Sequence, residues 1–275
     1  MLAPTRRFRS GPPVLALLGL AALAPLEARA DIYDDAVAHP GRPAADLERD
    51  PIDHPAEILR LAGIKPGMRV GDFLAANGYY SELLSYIVGP KGRVLMINNA
   101  AYDHWSSGWQ KRIAANRLPN LRHMTLEIEH LDLPDNSLDA VLLIKVYHDL
   151  YVENLWPNID PQKAVSEIAR VLKPGGVLLL EDHSARIGSG TADTTALHRI
   201  EEGYARRDFE KRGFVVIASS QVLRGPMIRA TRSATRGRCS ARLTASCSCS
   251  ASRPCGRRRC TEVPIVPVED PREHV

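Results

Sequence analysis

The stretch "MRVGDFLAANGYYSELL", residues 68 to 84, joins an apolar segment to a predicted helix through a short loop with a single glycine, Gly78. The apolar segment is typical of a buried parallel strand, and a helix is predicted from about Tyr80 to Ile87, before Gly89-Pro90. A strand-to-helix loop of this kind is the usual place for a nucleotide-like ligand, because glycine lets the backbone approach the ligand closely. One glycine alone is weak evidence for such a site.

The rest of the chain repeats this alternation of apolar and helical segments, joined by short turns that contain Gly and Pro. Further strands are predicted at "GRVLMINN", "HMTLEIE", "LDAVLLIKVY", "VLLLEDH" and "GFVVIASS". Helices are predicted at "PAEILRLAG", capped by Asp53 or His54, and over residues 105–117, 160–172 and 195–211. This alternation predicts an α/β fold with a doubly wound, mostly parallel sheet.

Five longer segments occur in order at suitable distances: "KPGMRVGDFLAANGYYSELL", "LPDNSLDAVLL", "VYHDLY", "IARVLKPGGVLLLEDHSA" and "LHRIEEGYARRDFEKRGF". Together they resemble the class I S-adenosylmethionine-dependent methyltransferases. The pieces "YHDLY", "EDHSA" and "LHRIE" resemble an exported, uncharacterised branch of predicted methyltransferases. The resemblance covers about residues 40–224 and implies a Rossmann-like methyltransferase fold with S-adenosylmethionine as cofactor.

The resemblance assigns cofactor contacts to the loop after the first strand. Asp72 matches the acid that ends this strand and organises the loop, and Gly78 matches the last loop glycine. Leu74 and Ala76 stand where the family pattern has glycine. For Asp72 the alternative is a carboxylate that only caps the helix or braces the loop.

The ends of the second and third strands supply the other cofactor candidates. Asn98 or Asn99 stands where the family usually has an acid that accepts hydrogen bonds from both ribose hydroxyls. An amide keeps one acceptor oxygen but no charge, so weaker binding is expected. Glu127 or Glu129 is the candidate near the adenine, and alternation along a strand does not choose between them. The alternative for Glu127 and Glu129 is a solvated carboxylate at the sheet edge.

Two mirrored pairs are the catalytic candidates: His148-Asp149 after the fourth strand and Asp182-His183 after the fifth. The first, fourth and fifth strands are neighbours in the usual order of this fold, so both pairs are predicted to face the cofactor's methyl group. Histidine titrates near neutral pH and a carboxylate can orient it, which suits a general base.

Other readings of these residues stay open. The histidines could simply brace loops through hydrogen bonds to the backbone. His198 could join the two pairs, while Tyr147 and Tyr151 could line an acceptor pocket. Two His and two Asp could also bind a divalent metal, but strand-end pairs lack a diagnostic ligand spacing and no metal site is predicted.

The N-terminus begins "MLAPTRRFRSGPPVLALLGLAALAPLEARA". A basic start, an apolar run too short to span a bilayer and the small-x-small sequence Ala28-Arg29-Ala30 predict a signal peptide over residues 1–30. The protein is therefore expected to be exported, either periplasmic or secreted. Residues 31–52 show no sustained period and are interpreted as a lead-in to a domain over residues 53–226.

The tail, residues 227–275, differs in composition from the rest. It holds all five cysteines and 10 of the 36 Lys and Arg, but only 4 of the 32 Asp and Glu. Without leader and tail, 22 basic and 27 acidic residues remain, so the net positive charge of the chain gives no reason to expect nucleic-acid binding. The cysteine spacings fit no standard zinc pattern.

A shifted reading frame explains this tail. Members of the resembled branch end with a strand similar to "GKTDRFVLMFRKP", and one set of codons for it, read one base later, gives "ARLTASCSCSASR". That sequence is residues 241–253 of this chain. The hypothesis places the frameshift near Gly225-Pro226. It predicts that residues 227–275 are disordered and that the last antiparallel strand is missing.

The sequence is compatible with two functions. The first is S-adenosylmethionine-dependent methyl transfer to a small-molecule acceptor. The alternative, motivated by Leu74, Asn98 and the altered C-terminus, is a catalytically inactive exported ligand-binding domain on the same fold. A nicotinamide-dependent oxidoreductase needs a Gly-rich fingerprint and an acid after the second strand, which this chain lacks. No nucleic-acid partner and no membrane span after signal removal are expected, and the oligomeric state stays open.

Overall fold

The computed structural model describes residues 31–153, 155–156 and 159–223, together with the backbone of residues 237–245. In this part of the chain the α-helices are α1 (Ile32–Val37), α2 (Ala44–Asp53), α3 (Pro55–Ala62), α4 (Tyr79–Val88), α5 (Ala100–Trp105), α6 (Trp109–Ile113), α7 (Pro161–Val171), α8 (Thr194–Leu197) and α9 (Glu202–Glu210). The strands are β1 (Arg69–Phe73), β2 (Arg93–Asn98), β3 (Leu121–Thr125), β4 (Leu138–Ile144), β5 (Leu172–Ser184), β6 (Phe214–Ser220) and β7 (Gly237–Ala245). The predicted signal peptide lies outside the described residues. Of the helices within them, none is both long and apolar enough to cross a membrane.

The strands form one sheet in the order β3-β2-β1-β4-β5-β7-β6. The first five strands in this order pair in parallel. Strand β7 is antiparallel to both of its neighbours, β5 and β6. The predicted doubly wound, mostly parallel α/β sheet is therefore confirmed, and the chain reverses its direction of winding on either side of β1.

The core lies in two layers, one on each face of the sheet. Leu95 and Ile97 of β2 join the cluster that includes the buried side of α7, while Val94 and Met96 join the cluster that includes α3 and α4. Successive side chains of a strand point to opposite faces, and helices cover both faces here, so β2 carries apolar side chains on both of its faces.

The ends of α3 and α7 are set by residues that favour a helix start or a helix stop. Helix α3 starts at Pro55, whose missing N–H costs nothing in the first turn, and ends at Gly63 with a left-handed φ of 64°. Helix α7 is capped by the side chain of Asp160, which accepts from the N–H groups of Gln162 and Lys163. Both helices were predicted within one or two residues of these bounds.

The prediction that the last antiparallel strand is missing is wrong. Residues 237–245 form β7, which inserts between β5 and β6 and pairs with both. The prediction weighed the polar side chains of this segment, whereas pairing in a sheet is made by the main chain. An open slot between two strand edges offers N–H and C=O groups to any extended segment. The other tail residues, and the reading-frame hypothesis with them, lie outside what the structure describes.

The segment 31–52, interpreted from the sequence as a lead-in, contains α1 and most of α2. These short helices are held by long-range contacts that no periodicity reveals, such as the Arg60 Nε–Asp31 Oδ2 ion pair at 2.7 Å. The helix predicted over residues 195–211 is broken into α8 and α9, since His198 takes a left-handed φ of 50° and ends α8. The stretch 105–117 is likewise split, into the end of α5, α6 and a 3-10 turn at Ala114–Asn116.

Candidate active site

The carboxyl ends of β1, β4 and β5 meet at one edge of the sheet, beside the point where the winding reverses. Ligands of open α/β sheets bind at such a point. The loop after β1 and the two predicted His/Asp pairs all lie at this edge.

The loop after β1 keeps a glycine-like backbone although it carries one glycine. Leu74, Ala76 and Gly78 have left-handed φ values of 53°, 51° and 75°. A left-handed residue with a Cβ costs roughly 1–2 kcal/mol. Hydrogen bonds offset this cost, since Leu74 N donates to the carbonyl of Ile97 at 2.7 Å and Ala76 N to Asn98 Oδ1 at 2.9 Å.

Gly78 has a steric reason to be glycine as well as a conformational one. A Cβ at this position would lie 2.4 Å from Met96 Sδ, because the loop packs directly on β2. The positions of Leu74 and Ala76 lack this constraint, which is why only the third glycine of the pattern is retained.

Asp72 is the penultimate residue of β1, and its side chain is buried. Its carboxylate accepts from Ser81 Oγ at 2.6 Å and is only 3% exposed. Burial raises the pKa of Asp72 to about 6, against the opposing effect of the Ser81 hydrogen bond. In this structure Asp72 therefore ties β1 to the first turn of α4 and braces the loop between them.

Asn98 is fully buried, and its amide is used on both sides. Oδ1 accepts from Ala76 N, while Nδ2 donates to the Ala76 carbonyl at 3.0 Å and to Asp103 Oδ1 at 2.9 Å. The predicted ribose partner thus holds the cofactor loop itself. Asn99, the other candidate, caps α5 by accepting from Tyr102 N at 2.9 Å.

Asp103 brings a carboxylate to this end of β2 that the sequence analysis did not single out. Besides Asn98 it binds His123 Nε2 at 2.8 Å and Thr125 Oγ1, both from β3. These hydrogen bonds outweigh the effect of partial burial and lower the pKa of Asp103. Five residues separate it from Asn98, so only the fold of α5 reveals that the charge returns to the strand end.

The two glutamates proposed near the adenine lie beyond the end of β3 and differ in their surroundings. Glu129 Oε2 accepts from Asp160 N at 2.9 Å, next to the start of α7. Glu127 is exposed. The structure thus separates two residues that sequence alternation left equivalent.

The two mirrored pairs do meet. His148 Nδ1 lies 2.6 Å from Asp182 Oδ1, His148 N donates to Asp182 Oδ2 at 2.7 Å, and His148 Nε2 lies 3.0 Å from Asp149 Oδ1. Burial alone would lower the pKa of His148, but the two carboxylates outweigh it and raise the pKa to about 10. At neutral pH the imidazole is therefore a cation that bridges two carboxylates, and it does not act as a base in this state.

His198 extends this network from another element. Its Nδ1 lies 3.5 Å from Asp149 Oδ1, and its ring packs edge-on against that of His148 with centroids 5.5 Å apart. The other oxygen of Asp149 accepts from Tyr102 Oη at 2.6 Å. His183 lies nearby, its ring centroid 5.9 Å from that of His148.

These side chains surround a cavity of about 420 Å³. It is lined by Tyr102, Trp105, Lys145, His148, Asp149, Leu155, His183 and His198. The lining combines aromatic and apolar side chains with members of the His/Asp network. Tyr147 and Tyr151 are not part of this lining, because both hydroxyls instead donate to Asp208, at 2.6 and 2.7 Å.

Lys145 and Trp105 are lining residues that the sequence analysis missed. Lys145 follows β4 with a left-handed φ of 59°, and its Nζ lies 2.8 Å from Asp53 Oδ1 of α2. Trp105 ends α5 and remains 57% exposed. Neither position belongs to a recognisable motif, and both depend on how α2 and α5 return to the sheet edge.

Comparison with known proteins relates part of the chain to methyltransferases. Residues 77–180 match the family model described as "Methyltransferase domain". The ubiquinone/menaquinone biosynthesis C-methyltransferase UbiE of Pasteurella multocida is 28% identical over 168 residues, which is 60% of this chain and 56% of that protein. UbiE of Shewanella piezotolerans is 30% identical over 128 residues, 46% of this chain and 47% of its own length. The chain thus spans about half the length of these relatives.

These matches support a class I S-adenosylmethionine-dependent methyltransferase domain over residues 77–180, which is less than half of the chain. A solved S-adenosylmethionine-dependent methyltransferase from Aquifex aeolicus has the same fold, with a TM-score of 0.56 at 22% identity over 72% of this chain and 93% of that one. The [4+2]-cyclase SpnF shares the fold as well, with a TM-score of 0.50 at 20% identity over 65% of this chain and 60% of that one.

The described residues fit S-adenosylmethionine, the cofactor of the methyltransferases that this chain resembles. The loop after β1 has left-handed residues at all three positions of the glycine pattern, and the close packing of Gly78 keeps its backbone against β2. A buried acid is the penultimate residue of β1, and a carboxylate, Asp103, stands one hydrogen bond beyond Asn98. Leu74, Ala76 and Gly78 would carry the main-chain surface toward S-adenosylmethionine, which supplies an electrophilic methyl group when bound.

Proposed function

We propose that this methyltransferase transfers the methyl group of S-adenosylmethionine to a small-molecule acceptor held in the cavity beside the β1 loop. The observation that carries the proposal is the position of the His/Asp network, at the ends of the two strands that follow β1 in the sheet. Methyl transfer is an in-line displacement, so the main contribution of the protein is to align the acceptor with the methyl group.

The cavity favours an acceptor with an apolar ring and a polar substituent. Tyr102, Trp105 and Leu155 are the aromatic and apolar part of the lining, and aromatic side chains pack well against a planar ring. The same lining offers the His148 cation and the Asp149 carboxylate to a hydroxyl or carbonyl group. The UbiE relatives, named for C-methylation in ubiquinone and menaquinone biosynthesis, support an acceptor of this general kind.

An acceptor that carries a proton has to lose it during the transfer. His148 already holds its protons, whereas Asp149 orients His198, whose side chain is 48% exposed at the cavity. His198 is therefore the residue that we place as the proton acceptor. Asp182 then positions His148 from the neighbouring strand, and His183 N donates to Asp182 Oδ1 at 2.7 Å.

Calorimetric titration of S-adenosylhomocysteine into the full chain tests the cofactor site. Gly78→Ala is compared with Gly188→Ala, since both glycines have a left-handed φ, 75° and 83°. The new methyl group would strike Met96 Sδ in the first variant and meets nothing within 4 Å in the second. We expect Gly188→Ala to bind like the parent and Gly78→Ala to lose affinity, tenfold for each 1.4 kcal/mol of loop distortion.

Three outcomes separate the candidate functions. Binding with turnover of ring-containing acceptors supports the proposed methyl transfer. Binding without turnover across a broad acceptor panel favours the inactive ligand-binding domain. A folded chain that binds no S-adenosylhomocysteine contradicts the proposed methyl transfer and leaves the ligand-binding domain as the remaining function.

We also propose that the chain is exported, on the strength of the basic and apolar segments in residues 1–30. Fractionation of cells that express the full chain tests this. Export predicts a mature protein that begins at Asp31 outside the cytoplasm, and an uncleaved cytoplasmic chain would contradict it.

A further inference from the structure

We propose that His148, Asp149 and His198 form a binding site for a divalent transition-metal ion in the cavity. Their ligand atoms, one from each side chain, all lie within 4.8 Å of one another. Two imidazoles and one carboxylate are the donor set that suits Zn²⁺ or Fe²⁺, whereas Mg²⁺ and Ca²⁺ prefer oxygen ligands. We infer the site from these side chains alone, and it does not depend on the proposed methyl transfer.

The distances fit a shared ion. Metal bonds of about 2.0–2.2 Å place adjacent ligands roughly 3.0–3.5 Å apart. Asp149 Oδ1 lies 3.0 Å from His148 Nε2 and 3.5 Å from His198 Nδ1. The two imidazoles have to come closer to each other, and a rotation of the half-exposed His198 side chain would bring them together.

The two buried ligands are also oriented as metal ligands usually are. His148 uses its other ring nitrogen, Nδ1, to contact Asp182 Oδ1 at 2.6 Å, and Asp149 uses its other oxygen to accept from Tyr102 at 2.6 Å. Each outer contact leaves Nε2 and Oδ1 facing the third ligand. Such carboxylate and hydroxyl partners fix the orientation of first ligands in metal sites.

The backbone of His198 adds a second indication. This residue has a left-handed φ of 50°, which is uncommon for histidine, at the end of the four-residue helix α8. Strained backbone of this kind tends to occur at functional positions, and here it presents the imidazole to the cavity. Three protein ligands next to an open cavity leave coordination positions for an incoming molecule.

The consequence for chemistry rests on the proposed function. With an ion bound, His198 is a ligand rather than the proton acceptor. A hydroxyl of the acceptor that binds to the ion would then lose its proton to solvent water more readily, as metal-bound water does. The ion competes for His148 Nε2 with the proton that otherwise bridges it to Asp149.

The test is a Co²⁺ titration of the full chain after treatment with a chelator, followed by visible absorption. The cysteine thiols are alkylated first, because the five cysteines of the tail would otherwise bind the same ion. We expect one Co²⁺ per chain and displacement by Zn²⁺. Tyr102→Phe, which removes only the outer contact, should weaken binding about 10- to 100-fold.

His198→Ala is the decisive variant, with His130→Ala as its matched control. Both histidines are exposed, so either change is compatible with folding, which circular dichroism checks. The proposal requires His198→Ala to lose the one-to-one signal and His130→Ala to keep it. Equal binding by both variants, or no saturable binding by the parent chain, overturns the proposal. The S-adenosylhomocysteine titration on the same samples reports separately on the proposed function.

Discussion

Replacing Asn98 with aspartate restores the residue type that the methyltransferase family usually carries at the end of β2, yet we expect the change to destabilise this protein. Asn98 is fully buried, and its Nδ2 donates to the Ala76 carbonyl and to Asp103 Oδ1. A carboxylate cannot donate. Asn98→Asp therefore breaks both hydrogen bonds and brings two carboxylates together where 2.9 Å now separates Asn98 Nδ2 from Asp103 Oδ1.

The size of the effect follows from the proton that one of the two carboxyls must then take up. Holding a carboxyl protonated at pH 7 costs about 4 kcal/mol relative to its unperturbed pKa. The charge-assisted hydrogen bond made by that proton returns about 2 kcal/mol, and the lost bond to Ala76 adds about 1 kcal/mol. The variant should thus be less stable than the parent by about 3 kcal/mol at pH 7.

The penalty has a defined pH dependence. The pKa of the shared carboxyl is raised in the folded state relative to the unfolded chain. Above the unfolded pKa of about 4, the folded variant holds this proton while the unfolded chain releases it. The free energy of unfolding of the variant therefore falls as the pH rises. The penalty should be under about 1 kcal/mol at pH 5 and largest at neutral pH.

Urea unfolding of the parent, Asn98→Asp, Asp103→Asn and the double variant at pH 5 and pH 7 measures these values. We expect the double variant to recover most of the loss at pH 7, since the amide introduced at position 103 again gives the carboxylate at position 98 a donor. The reasoning is refuted if Asn98→Asp is as stable as the parent at pH 7. If that variant also binds S-adenosylhomocysteine more tightly, Asn98 faces the ribose, as the sequence suggests.

Two further outcomes follow from the β1 loop. Burial raises the pKa of Asp72 from 3.8 to about 6, so this residue should reduce the unfolding free energy by up to about 3 kcal/mol as the pH rises from 4 to 7. Asp72→Asn keeps an acceptor for Ser81 and should flatten that part of the pH profile, whereas an unchanged profile would place the carboxyl in a wetter environment. Leu74→Gly should cost about 1–3 kcal/mol, because the loss of a buried side chain exceeds the relief of left-handed strain. Ala76→Gly should change stability by less than about 1 kcal/mol, and a stabilised Leu74→Gly variant in urea unfolding would contradict this balance.

The parallel part of the fold could be predicted because each strand carries its own signals. Strands β1, β2, β4 and β5 are largely buried, and β2, β4 and β5 each contain a run of at least four apolar residues. The N-terminal helices gave no such signal. Helix α2 contains Pro51 in its interior, and it is held to the domain by the buried Arg112–Asp46 ion pair, which spans 66 residues of sequence.

The site was predictable as far as strand order determines it. Because β4 and β5 are neighbours, residues at their carboxyl ends must meet, and His148 and Asp182 do lie 2.6 Å apart. Their charge state could not be predicted in this way. It depends on the burial of His148 and on a second carboxylate, and together these turn an expected base into a cation.

The number of glycines in the β1 loop underestimates how well this loop can hold a left-handed backbone. Glycine is the least costly residue for a left-handed backbone, but it is not the only one that can hold it. Leu74 is 3% exposed in the core, and its N–H is bonded to β2, so packing and hydrogen bonding together offset the strain of its φ of 53°. The amide of Asn98 does the same for Ala76 from two sides. Asn98, which the sequence suggests as a weakened cofactor contact, thus helps the β1 loop to hold its left-handed backbone with a single glycine.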